Sequence, residues 1–250
     1  MSDDVILETR KLTKEFQGFV AVNGVDLRIR RGAVHGLIGP NGAGKTTVFN
    51  LLTRFLPPTS GSVFYRGDDI THLRPAAVAR RGLVRSFQIS AVFPRLTVLE
   101  NVRVALQRSL GTSFHFWRTQ RSLAVLNGRA LELLAAVDLD GYAHTITVEL
   151  PYGRKRALEL ATTLALEPEL MLLDEPTAGM GQEDVGRVVS LIKKISSGRT
   201  ILMVEHNLSV VADLSDTITV LARGSVLAEG SYSDVSRNPA VLEAYIGVEQ

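Results

Sequence analysis

Hydrophobic and polar positions alternate over residues 5–29, with breaks at Gly18 and at Asn23-Gly24. That pattern predicts an antiparallel meander. A short apolar run at 33–38 leads into a glycine-rich turn, and a helix is predicted from Gly44 to about Phe55. Pro57-Pro58-Thr59-Ser60-Gly61 should end that helix and turn the chain into a strand at 62–65. Between 89 and 149 the period changes. Leu99, Val102 and Leu106, then Leu123, Leu126, Leu131, Leu134 and Val137, recur at helical spacing, and strand signals nearly vanish. A helical lobe inserted into an α/β core is the expectation. From 170 onward strand and helix alternate, at 170–173, 182–195, 200–204, 208–214 and 217–221. The helix over 182–195 opens with Glu183 and Asp184 and closes with Lys193 and Lys194 before Gly198, charges that suit both ends of a helix dipole. Such alternation implies a parallel sheet covered by helices.

The chemistry lies where these elements meet. Gly39-Pro40-Asn41-Gly42-Ala43-Gly44-Lys45-Thr46 follows a predicted strand and opens a predicted helix, which is the context of a phosphate-binding loop. Its glycines let successive N–H groups turn toward an anion, and the helix N-terminus adds partial positive charge. Lys45 can reach the β- and γ-phosphates, the Thr46 hydroxyl can ligate Mg²⁺, and Thr47 continues the first turn. The run Leu170-Met171-Leu172-Leu173 reads as a strand buried on both faces that ends in Asp174-Glu175, at the edge where ligands bind in such sheets. Asp174 would hold Mg²⁺ through water, and Glu175 would orient or deprotonate the attacking water.

Three further places are singled out. His206 follows the strand at 200–204 and could contact a γ-phosphate from the same sheet. Gln88, where the core gives way to the helical lobe, could sense Mg²⁺ or the attacking water. Leu150-Pro151-Tyr152-Gly153-Arg154 precedes a helical run, with proline near the helix start and a glycine that permits close backbone approach.

Composition narrows the class. The 250 residues are 45% hydrophobic and 22% charged, an ordinary globular mixture. The mean hydropathy of +0.13 leaves room for a buried partner surface. A net charge of +2 gives no reason to expect a nucleic-acid partner. Without cysteine, disulfides, thiolate metal sites and cysteine nucleophiles are excluded. No apolar run approaches the roughly 20 residues of a membrane-spanning helix. The acidic start Met1-Ser2-Asp3-Asp4 is unlike a signal peptide, so a cytoplasmic protein is the expectation.

The order of these pieces resembles the ATP-binding cassette ATPases over nearly the whole chain. That resemblance implies one cassette over 1–250. A P-loop NTPase core with a mostly parallel sheet and an N-terminal antiparallel β subdomain would take 1–88 and 155–250. An inserted α-helical subdomain would take 89–154. It implies that Phe16 stacks on adenine, that 150–154 is the signature motif, that Ala178-Gly179-Met180-Gly181 is the D-loop and that His206 is the switch histidine. Arg85-Ser86-Phe87-Gln88, the stretch from Phe93 to Val102, the Leu-Pro-Tyr-Gly signature and the end from Asn238-Pro239 to Gly247 resemble the branched-chain amino acid uptake subfamily. Two positions depart from the wider family: the signature serine is Pro151, and the D-loop aspartate is Gly181.

The resemblance further implies two ATPase subunits that sandwich ATP and Mg²⁺. Lys45, Thr46, Gln88, Asp174, Glu175 and His206 of one subunit would face the signature of the other. Because Pro151 has no donor to offer, a heterodimer with a serine-bearing second subunit is expected over a homodimer. Membrane-spanning permease subunits would dock on the helical lobe, with a periplasmic or extracellular solute-binding protein engaged indirectly. The chain would sit peripherally on the cytoplasmic face of the membrane. A lipid or polysaccharide exporter ATPase and a non-transport ATPase of the same fold stand as alternatives.

Overall fold

A computed structural model describes residues 4–86, 92–108 and 124–246, without the side chains of 124 and 246. The contacts divide the chain into two compact units. One comprises the described residues up to Arg85, with Glu169–Pro176 and those from Ser196 on. The other comprises the described residues from Ser86 to Pro168, with Thr177–Ile195.

The first unit is α/β. The alternation over 5–29 becomes the antiparallel pair β1 (Val5–Phe16) and β2 (Phe19–Arg30). These join β4 (Ser60–Tyr65) and β5 (Asp68–Asp69) in a four-stranded antiparallel sheet of order β2-β1-β4-β5. A six-stranded sheet contains β3 (Val34–Ile38), β6 (Leu83–Arg85), β7 (Leu170–Asp174), β8 (Thr200–Val204), β9 (Thr217–Ala222) and β10 (Ser225–Gly230). Its order is β10-β9-β3-β8-β7-β6, and every pairing is parallel except β9 with β10. The strands β3, β7 and β8 are buried at every position, which accounts for the apolar runs Leu170 to Leu173 in β7 and Ile201 to Val204 in β8. Helices α1 (Lys45–Leu52) and α2 (Pro75–Arg80) belong to this unit, and α1 supplies Val48, Phe49, Leu51 and Leu52 to its core.

The first helix ends earlier than the prolines predict. Leu52 is its last residue, Thr53 caps it, and Arg54 takes a positive φ of 64°. The chain therefore leaves the helix before Pro57 is reached.

The second unit is helical among its described residues. It holds α3 (Val98–Leu106), α4 (Asn127–Ala136), α5 (Tyr152–Leu164) and α6 (Gln182–Ser196) as far as Ile195. In α4 the buried face is Ala130, Leu133 and Leu134, continued by Val137. Leu131 is 41% exposed, so the predicted stripe was one position out of phase there. A step of one residue turns the helix by about 100°, enough to carry a leucine off the core face. Leu123 lies outside the described residues. The buried Asn101 closes a polar network: its amide donates to the carbonyls of Phe93 and Thr97 and to Thr147 Oγ1, and its Oδ1 accepts from the Phe93 N–H. Thr147 in turn donates to the Leu96 carbonyl at 2.9 Å, which anchors the segment leading into α5.

The remaining helices of the first unit are α7 (Leu208–Leu214), α8 (Tyr232–Ser236) and α9 (Pro239–Ile246). No helix among the described residues is long and apolar enough to cross a membrane.

Candidate functional site

Parallel pairing brings the candidate residues to one edge of the six-stranded sheet. In register, Leu37 lies opposite Val204, and Val204 lies opposite Asp174. The loop after β3, the Glu205-His206 turn after β8 and the Asp174-Glu175 end of β7 therefore leave the sheet side by side, with β8 in the middle. The C-terminal edge of a parallel sheet is where such folds bind ligands.

The loop is shaped by what cannot fit. A Cβ on Gly39 would lie 2.2 Å from the Leu221 carbonyl oxygen, and one on Gly44 would lie 2.6 Å from that of Ala21. Both glycines hold positive φ, 151° and 100°, so backbone approach and conformation both demand them. The first intrahelical bond of α1 runs from the Val48 N–H to the Gly44 carbonyl at 2.9 Å. The amides of Lys45, Thr46 and Thr47 precede it and form the donor-rich end that favours an anion. Lys45 Nζ donates to the Gly39 and Pro40 carbonyls. Burial pushes the Lys45 pKa down, and Glu175 and Asp174 pull it back up.

Asp174 is buried, and its side chain has no solvent exposure. Its Oδ2 accepts from Arg85 Nη2 in an ion pair, whereas Oδ1 has no hydrogen-bond partner among the described residues. A buried, unsatisfied carboxylate oxygen calls for a cation or its water. Among the described residues no three His, Cys, Asp or Glu side chains form a metal cluster. One carboxylate, one hydroxyl and phosphate oxygens make the kind of site Mg²⁺ takes, so Asp174 and the exposed Thr46 fit that ion with a bound nucleotide.

Glu175 follows with φ of 46°, a left-handed conformation that costs a non-glycine residue on the order of 1 kcal/mol or more. Its N–H donates to the Val204 carbonyl at 2.9 Å and holds the turn at the sheet edge. Beyond β8, the buried Glu205 accepts from the N–H groups of His206 and Asn207 at 3.0 and 3.2 Å. Asn207 caps α7 through the Ser209 N–H. The His206 side chain is thereby left 61% exposed. Phe16 ends β1 with 41% exposure, its ring 5.1 Å from Lys14 Nζ. Gln88 lies outside the described residues.

In the helical unit, Leu150 is buried, Pro151 is the N-cap of α5, and Tyr152 is its first residue. Pro151 offers no capping hydrogen bond from a side chain. Gly153 has a steric reason: a Cβ there would lie 2.7 Å from Asp184 Oδ1 on α6. Tyr152 Oη donates to the Ala178 carbonyl at 3.3 Å, and the Arg154 guanidinium lies 3.8 Å from the Tyr142 ring centroid.

Sequence reasoning gave no role to Arg85, Asn50 or Tyr245. Arg85 Nη1 donates to Asn50 Oδ1 at 2.6 Å. The Tyr245 hydroxyl is buried, burial raises its pKa, and the Gly39 backbone partly offsets that. A cavity of about 470 Å³ separates Pro40–Ala43 from the α9 residues Ala240, Glu243 and Ala244. Arg85 was visible in the sequence as the first residue of the run 85–88, but nothing local signals where its guanidinium goes.

Residues 22–178 match the family described as ABC transporter, and 225–250 match the family described as branched-chain amino acid ATP-binding cassette transporter. The high-affinity branched-chain amino acid transport ATP-binding protein BraF of Pseudomonas aeruginosa is 39% identical over 97% of this chain and 98% of its own. LivG of Escherichia coli, a protein of the same description, is 37% identical over 97% and 98%. The crystal structure of an ABC transporter's ATP-binding cassette in its ADP conformation superposes with a TM-score of 0.86. It is 30% identical and covers 97% of this chain and 99% of that one.

Proposed function

The chain belongs to the ABC transporter family of ATPases, and from that premise we propose that it powers the import of branched-chain amino acids or closely similar solutes. The observation that carries the solute class is the end-to-end likeness to branched-chain amino acid transport ATPases, joined to the subfamily match over 225–250. The ATPase activity has its machinery on one sheet edge.

In this reading the phosphate loop Gly39-Pro40-Asn41-Gly42-Ala43-Gly44 and the first amides of α1 bind the ATP phosphates, and Lys45 neutralises them. Mg²⁺ held by Thr46, Asp174 and Gln88 would supply charge neutralisation at the phosphates. Glu175 accepts the proton of the attacking water, His206 contacts the γ-phosphate, and Phe16 stacks on the adenine. A second ATPase subunit brings Leu150-Pro151-Tyr152-Gly153-Arg154 to the same nucleotide, as a homodimer or, in our preferred reading, a heterodimer. The division into a nucleotide-binding core (1–88, 155–250) and a helical subdomain (89–154) belongs to the same proposal. Closure and opening drive permease subunits from the cytoplasmic face, and a solute-binding protein delivers the cargo on the other side.

The test is ATP-driven uptake of radiolabelled leucine by proteoliposomes. They would contain this chain, candidate permease subunits and a candidate solute-binding protein. Uptake should require this chain and vanish with Lys45→Ala. ATP-dependent uptake of a lipid or sugar, with none of leucine, isoleucine or valine, would overturn the solute assignment.

A further inference from the structure

Arg85 stands at the end of β6 and holds two elements at once. Its Nη2 donates to Asp174 Oδ2 on β7, and its Nη1 donates to Asn50 Oδ1 on α1 at 2.6 Å. The guanidinium carbon lies 5.6 Å from the Phe49 ring centroid, so the charge is braced on its apolar side as well. The arginine side chain is 10% exposed, and the carboxylate it meets is fully buried. A buried carboxylate without a partner is strongly unfavourable. Lys45, whose charge also interacts with Asp174, has its ammonium engaged by the Gly39 and Pro40 carbonyls.

We propose that Arg85 is a placeholder cation and positioning residue for the magnesium site. It neutralises Asp174 in the absence of metal and fixes Oδ2, which leaves Oδ1 as the oxygen presented to the site. Its own positive charge opposes a bare divalent ion, so the metal is taken up together with the anionic nucleotide rather than alone. Asn50 ties this arrangement to α1, the helix that opens with Lys45 and Thr46. The proposal rests on the reading in which Asp174 serves the metal, and the experiment separates the two.

Thermal unfolding of the full chain without nucleotide, with and without millimolar MgCl₂, is compared for wild type, Arg85→Met, Asp174→Asn and the double variant. Arg85→Met should lower Tm by on the order of 6–12 °C, because it strands a buried charge. The double variant should recover most of that loss. Mg²⁺ alone should raise the Tm of Arg85→Met by several degrees and leave wild type and the double variant unmoved. Mn²⁺ titration should show at least about tenfold tighter binding by Arg85→Met than by wild type. Arg85→Lys, which keeps the charge but cannot serve Asn50 and Asp174 together, should fall between. If Arg85→Met does not fold, the double variant decides. Stability near wild type supports the proposal, and failure to fold overturns it. An equal Tm loss with and without Asp174→Asn, or no divalent-ion response specific to Arg85→Met, also overturns it. Normal Mg²⁺-dependent ATP binding by Asp174→Asn would instead remove the metal assignment itself.

Discussion

The ammonium of Lys45 donates to the Gly39 carbonyl oxygen at 2.6 Å and to that of Pro40 at 3.0 Å. The side chain thus arches back over the loop that precedes its own helix. In the proposed function, loop and lysine together bind the phosphates. Lys45→Ala should weaken ATP binding about tenfold to hundredfold, the loss of a charge-assisted donor. Equilibrium titration with a fluorescent ATP analogue reads this directly, and an unchanged affinity would contradict the site.

Phe16 offers a partly exposed ring at the end of β1. Stacking contributes about 1–3 kcal/mol per base and is nearly blind to base identity. ATP and GTP should therefore bind with similar affinity, and Phe16→Ala should weaken both alike. Competition titrations with the two nucleotides test this. A strong ATP preference would mean that hydrogen bonds to the adenine edge, not the ring, carry recognition.

Acid should destabilise this fold through His35. The side chain is buried in β3, with Nε2 2.8 Å from Thr219 Oγ1. Burial pushes its pKa down to about 4, with Glu229 raising it and Arg30 lowering it further. The folded pKa lies below the unfolded value of 6.5, so the unfolded chain binds more protons between the two. Stability is fully present above pH 6.5 and is lost as pH falls toward about 4, by on the order of 3 kcal/mol. Urea unfolding at pH 7.5 and 5.0 should show about 2 kcal/mol of that loss in wild type and a smaller one in His35→Asn.

Pro151 has neither a hydroxyl nor a backbone N–H to donate. The donors at the start of α5 are the amides of Tyr152, Gly153 and Arg154, which precede the Lys155-to-Pro151 backbone bond of 3.0 Å. The absent hydroxyl corresponds to roughly a tenfold to hundredfold effect on a step that uses it. The chain alone should be a slow ATPase, accelerated by a second subunit that carries a signature serine, and Pro151→Ser should speed the homodimer. Steady-state ATPase assays of each combination decide. Full activity of the wild-type homodimer, unchanged by Pro151→Ser, would show that the backbone donors suffice.

Legibility followed how local the cause was. The glycine-rich turn between β3 and α1 was readable because Gly39, Gly44, Lys45 and Thr46 fall within one eight-residue stretch, and the glycines answer requirements of the turn itself. The strand β7 was readable because burial on both faces leaves an unbroken apolar run. By contrast β6 has only three residues, and it is a strand because β7 lies beside it in register, Leu83 against Leu170. Asn50, Arg85 and Asp174 converge from positions 35 and 89 residues apart, so no window of sequence contains their interaction. The Tyr245 hydroxyl beside Gly39 is likewise invisible before the chain is folded. Leu131 failed for the opposite reason: in a leucine-rich segment several stripes fit the period, and packing chose the one through Ala130, Leu133 and Leu134.

In the proposed mechanism the sheet edge that ends in Asp174 and Glu175, with Lys45 at the start of α1, hydrolyses ATP, and Glu175 is the base. The most direct measurement is a paired one on Glu175→Gln: ATP binding by equilibrium titration and phosphate release in a single-turnover assay. The amide keeps the shape of the side chain and cannot accept a proton from water. Binding should stay within about twofold of wild type, while phosphate release falls by about a hundredfold or more, in line with the loss of a general base. Hydrolysis at the wild-type rate by Glu175→Gln would show that Glu175 is not the base.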